Sequence, residues 1–232
     1  MLEKLAKQTA VYGISTIAVR FLSYLLTPVF TRVFEPEAYG IVTDVYALIP
    51  FALVVLTMGL ESAYFRFAAK ADAAAAAAGG TEGEIAARAR AGKRRLFATA
   101  WGVTLLAASL FFLLTAFGRE RVAEWMGEAY VAHPEYVLLV AAVVWFDVAA
   151  CLPFSRLREQ GRAMTFVGIK ALGVVVNVAL AIGFALAGLY GTPFGVGWVF
   201  VANLIASAVT FNVILLTTDR TVPRIDWRLL GA

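Results

Sequence analysis

An all-α, polytopic membrane protein of six transmembrane helices is the fold this sequence predicts, on three observations. Of 232 residues 61% are hydrophobic and 16% charged, and the mean hydropathy is +0.80, a composition outside the soluble range. The charges gather between apolar runs that reach the roughly 20 residues needed to cross a bilayer. Lys and Arg are also distributed unevenly between alternate connections, as the positive-inside rule requires.

The first span is expected over residues 10–34. Gly13, Thr16, Arg20, Ser23 and Thr27 recur every three or four positions, so all five fall on one helix face. An arginine deep in a span is costly and faces a protein interior or a watery cavity, where it acts on something. The remaining spans are expected over residues 40–60, 96–117, 136–154, 165–189 and 196–217. Residues 66–95 then form a cytosolic loop and 218–232 a C-terminal linker. In the loop, six consecutive alanines ending in Gly79-Gly80 read as a short helix and then a turn.

With the N-terminus inside, fifteen of the twenty Lys and Arg fall in cytoplasmic segments and three outside, while Arg20 and Lys170 lie within spans. Both termini are therefore expected in the cytoplasm, with the loops around Glu124 and Thr192 outside. The net charge of +4 reflects this topology and contact with anionic lipid heads. It does not argue for nucleic acid.

The chemistry-bearing residues are few. Cys151 is alone, so no CxxC or internal disulfide exists, and it reads as a small apolar filler. The single histidine, His133, beside Pro134, reads as a solvated surface residue. Glu124 and Glu128, spaced four apart with Trp125 and Met126, read as an interfacial helix. The sequence contains neither an H-E-x-x-H helix nor a phosphate-binding G-x-x-x-x-G-K-[ST] loop. No cofactor, metal site or enzymatic activity is expected.

Intramembrane polar residues remain. Lys170, Gly173 and Asn177 share a face of the fifth span, and Asn203, Ser207 and Thr210 share one of the sixth. Asn177 and Asn203 suit either a transport pathway or close helix packing. Lys170 suits the pathway or snorkelling to the interface. Asp147 and Lys170 lie at similar depth across one hairpin, which leaves two readings: an ion pair, or a titrating carboxylate that couples transport to protons.

At this point two segments carry a resemblance. Thr27-Pro28-Val29-Phe30-Thr31-Arg32-Val33-Phe34-Glu35-Pro36-Glu37-Ala38-Tyr39-Gly40 and Gly59-Leu60-Glu61-Ser62-Ala63-Tyr64-Phe65-Arg66-Phe67 resemble the first two spans of bacterial polysaccharide flippases. These are the O-antigen and exopolysaccharide exporters of the multidrug/oligosaccharidyl-lipid/polysaccharide (MATE-like) superfamily. Their early segments read T-R-x-[LF]-x-x-x-x-[YF]-G and G-L-x-x-A-x-x-R.

The resemblance implies two six-helix lobes around a central cavity and an undecaprenyl-diphosphate-linked oligosaccharide as substrate, moved across the bacterial inner membrane. It implies that Arg20, with Thr16, Ser23, Thr27, Asn177 and Asn203, binds that substrate, a guanidinium being matched to phosphate oxygens. Asp147 and Lys170 are the candidates for ion coupling. Family members carry twelve or fourteen spans, so the second lobe is expected from the rest of the gene or from a partner chain. The competing expectations are a multidrug or metabolite antiporter of the same superfamily and a non-transporting membrane subunit of a polysaccharide synthase.

Overall fold

The computed structural model describes residues 26–218 and 221–226. Among them every regular element is helical: α1 (Thr27–Val33), α2 (Pro36–Thr57), α3 (Leu60–Ala77), α4 (Glu82–Phe117), α5 (Arg119–Met126), α6 (Glu128–Val131), α7 (Pro134–Glu159), α8 (Ala163–Leu186), a 3₁₀ turn (Leu189–Gly191) and α9 (Gly197–Thr217). Five of the described helical segments are long and apolar enough to cross a bilayer. The protein is a multi-pass membrane protein. Of the expected first span only α1 lies within the described residues, and Gly13, Thr16, Arg20 and Ser23 lie outside them.

Local chemistry sets the element boundaries. Pro36 opens α2 after an extended Glu35, as suits a residue with fixed φ and no N–H to lose. The helix breaks at Met58 and Gly59, both left-handed with φ of 48° and 69°, a conformation strained for Met and free for Gly. α8 ends at Leu186, three residues before the expected boundary, because Gly188 turns left-handed at φ 70°.

Residues 66–95, expected as a cytosolic loop holding one short alanine helix and a turn, are mostly helical. The alanine run extends α3 to Ala77, and α4 starts at Glu82 behind a capping box. There Glu84 N–H donates to Thr81 Oγ1 at 3.4 Å and Thr81 N–H to Glu84 Oε2 at 2.9 Å, satisfying two donors that a helix start leaves open. Alanine's helix propensity and this cap reduce the connection to a tight turn. At 1.5 Å per residue, the 36 residues of α4 reach about 54 Å, well beyond a 30 Å hydrocarbon core.

Other local expectations also change. Glu124 and Glu128 do not share a helix, because Gly127 at φ 118° separates α5 from α6. His133 stacks on Tyr136 with ring centroids 4.8 Å apart, and its Nδ1 lies 2.9 Å from Glu135. Cys151 is half-buried and its thiol donates to Glu61 Oε2 at 3.4 Å. Each of these contacts joins residues that composition alone treats as solitary.

Helix α7 is the centre of the bundle, packed chiefly by α4 and α9 and more lightly by α2 and α3. Its buried residues divide between two apolar clusters. One gathers Val42, Val45, Val144, Val148 and Phe200; the other gathers Tyr64, Phe97, Trp101, Leu152 and Ile214. Three polar side chains that pass through the bundle find partners: Trp101 Nε1 donates to Ala149 O at 2.9 Å, Trp145 Nε1 to Ser109 Oγ at 3.1 Å, and Tyr136 Oη to Phe194 O at 2.7 Å. In hydrocarbon an unpaired group costs several kcal/mol, roughly the value of losing a bond outright.

Basic residues collect at one end of the bundle, called here the basic end. Arg158 forms an ion pair with Glu61, and Lys93 bridges Asp72 and Glu159 at 2.8 Å each, tying the α3–α4 hairpin to α7. Lys93 precedes the apolar stretch of α4. Burial works against its charge, but the two carboxylates outweigh it and raise its pKa above the ordinary lysine value.

Residues 221–226 fold back over the same end. Arg156 Nη1 donates to Thr221 Oγ1 at 2.8 Å, Arg224 N–H to Ala98 O at 3.1 Å, and Arg95 Nε to Asp226 Oδ2 at 2.6 Å. Ile225 lies against Gly102, where an added Cβ would meet its Cγ1 at 3.0 Å. The segment expected as a linker is thus, in its described part, a strap across α4 and α7.

Candidate functional site

A cavity of about 690 Å³ opens between α2, α7, α8 and α9, with α1 at one end. It sits at mid-bundle: Asp147 is twelve or thirteen residues from either end of α7, about 18–20 Å along the axis. Five predicted site residues come together in its lining, namely Thr27, Asp147, Lys170, Asn177 and Asn203. The sequence separates them by up to 176 positions. Thr16, Arg20 and Ser23 lie outside the described residues.

Each side chain is placed by its helix. Lys170, Gly173 and Asn177 point inward because α8 repeats every 3.6 residues, and Asn203, Ser207 and Thr210 do so from α9. The two helices approach closely where Gly173 faces Thr210 and Ala206, the small-residue contact that membrane helices favour.

Asp147 and Lys170 are near enough to act electrostatically on one another, and Asp147 also lies beside the Ser207 hydroxyl. No ion pair joins the two among the described residues. Lys170 instead sets its ammonium 4.2 Å from the centre of the Phe154 ring, a cation–π contact that desolvation strengthens. The described lining therefore keeps one cation and one carboxylate without a direct bond between them.

The wall from α2 lies outside the expected site. Tyr39, Thr43, Tyr46 and Pro50 line the cavity, and Tyr46 reaches the Asn177 side chain. Their spacing of four, three and four is a readable helical stripe. Tyrosine, threonine and proline are ordinary in membrane helices, so composition lends the stripe no contrast.

The arrangement offers charge, amides, hydroxyls and aromatic faces to a bound molecule, the features of a ligand pocket. The model of a family described as polysaccharide biosynthesis protein matches residues 5–226. The chain belongs to that family. Comparison with curated proteins and with solved structures gave no match. The role of this polysaccharide biosynthesis protein is thus in making polysaccharide at a membrane, and its mid-bundle cavity is the candidate site for that role.

Proposed function

We propose that the chain is the N-terminal six-helix lobe of a MATE-like flippase, moving undecaprenyl-diphosphate-linked oligosaccharide across the bacterial inner membrane. The observation that carries this reading is the mid-bundle cavity, which places Lys170, Asn177 and Asn203 together where a passing head group needs polar partners. A second lobe, from the rest of the gene or a partner chain, completes the pathway. The role is transport, without catalysis. Asp147 in the same cavity favours the antiporter reading, since a carboxylate attracts organic cations. Family membership in polysaccharide biosynthesis favours the flippase.

Complementation of a flippase-deficient strain tests the reading, comparing residues 1–232 alone with the same residues joined to the downstream coding region. Export is expected only from the longer form. With it, Arg20→Ala should abolish export at normal protein level and Arg20→Lys should retain a fraction, because lysine keeps the charge and loses the two-pronged geometry. Wild-type export by Arg20→Ala would reduce Arg20 to packing.

The orientation has its own test. Reporter fusions at Glu124 and Thr192 should report outside, and fusions in residues 71–95 or at either terminus should report inside. A cytoplasmic signal at Glu124 would overturn the assigned topology.

A further inference from the structure

The cavity is divided along its length. Asp147 and Lys170, with Ser207 and Thr210, lie from its middle toward the basic end. Toward the other end the described lining changes character to Phe30, Tyr39 and Tyr46 with Asn177 and Asn203, and carries no ionised side chain. We propose that this uncharged half is a subsite for a neutral sugar ring, while the charged half takes the anionic group. The inference rests on the flippase reading and assigns the two parts of its cargo to the two ends of the cavity.

The chemistry of the uncharged half selects its occupant. A lipid tail would cover the amides of Asn177 and Asn203 and the Tyr46 hydroxyl without offering them hydrogen bonds, which is unfavourable. A phosphate would meet only amides and hydroxyls among the described residues there, whereas Lys170 offers it a charge in the other half. A neutral pyranose satisfies both demands. Its C–H faces carry slight positive charge and match the negative faces of aromatic rings, and its hydroxyls donate to and accept from amides. Tyr46 is half-buried and lies near the Asn177 side chain, so a hydroxyl and an amide are close enough to address one sugar together. Both are held on helices, which limits the ordering that binding costs.

The test uses the full-length protein in nanodiscs and two probes: undecaprenyl diphosphate alone and undecaprenyl diphosphate bearing a neutral disaccharide. Wild type should bind the sugar-bearing probe at least about tenfold more tightly, the worth of one or two net hydrogen bonds. Tyr46→Leu and Asn177→Ala should each bring that ratio within about twofold, and Lys170→Met should weaken both probes together. Tyr46→Phe, which removes only the hydroxyl and keeps the ring, should lower the ratio part of the way and serves where the larger change prevents folding. If folded Tyr46 and Asn177 variants keep the wild-type ratio while Lys170→Met weakens both probes, the sugar subsite is refuted and the flippase reading survives. If wild type binds neither probe, both fall.

Discussion

Lys170→Met should abolish export in the complete transporter at unchanged protein level, with Lys170→Arg retaining part of it. Lys170 is the one cation among the described residues lining the cavity, and Asp147 is the one carboxylate. A charge-assisted hydrogen bond to a phosphate oxygen contributes about 2 kcal/mol, or roughly thirtyfold in affinity. Removing the ammonium also leaves an arriving anion facing Asp147 without the compensating charge. Methionine keeps a flexible apolar stem whose thioether packs favourably on aromatic rings, so it can replace the lost cation–π contact with Phe154 by an apolar one and folding is little disturbed. Asp147→Asn separates the two roles, because it removes the carboxylate while leaving the ammonium in place. Strong export by Lys170→Met would move anion binding elsewhere.

Gly173→Val should be the most destabilising single change at the α8–α9 seam, costing about 1–3 kcal/mol as overpacking. A Cβ at this position runs into the Thr210 hydroxyl, with Thr210 Cβ at 3.6 Å and Ala206 O at 3.9 Å behind it. The hydroxyl can turn aside for one methyl, but two branches press on the Thr210 Cβ and the α9 backbone. The helices must then separate, which also widens the cavity. Gly183, on the same helix, has open space at its Cβ position, so Gly183→Ala should be neutral or stabilising by helix propensity. Thermal unfolding of the solubilised proteins measures the difference. Equal midpoints for Gly173→Val and wild type would show that the seam is not close-packed.

The spans are legible in the sequence because a bilayer imposes length and apolarity that few other environments demand. The α8 and α9 stripes are legible because Lys, Asn and Ser stand out against Val and Leu at helical spacing. Tyr39 and Tyr46 do not stand out, and the wall they form escapes a reading by composition. The alanine run is legible as a helix that ends in a turn at Gly79-Gly80, but residues 82–95 read as a loop because their charges resemble a solvated connection, although the Thr81–Glu84 box specifies helix. The Glu61–Arg158 pair and the Cys151 contact have no sequence signal, since about ninety positions separate the partners. Asp147 and Lys170 are legible in depth, but depth does not fix whether a side chain bonds to its neighbour or to a ring.

The strap over the basic end also acts as a ruler. Thr221 meets Arg156, Arg224 meets Ala98, Ile225 meets Gly102 and Asp226 meets Arg95, so four fixed points on the bundle meter one short stretch of chain. Consecutive Cα atoms are about 3.80 Å apart, and one extra residue after Thr221 would carry Arg224, Ile225 and Asp226 past their partners at once. The same insertion between Gly79 and Gly80, whose backbones both have positive φ and which are both exposed, displaces only the exposed bond from Arg88 Nη1 to Gly79 O. A single glycine inserted after Thr221 should therefore lower the thermal midpoint, and one inserted at the hairpin turn should lower it far less. Length within the strap is dictated by the architecture, whereas length at the hairpin tip is nearly free.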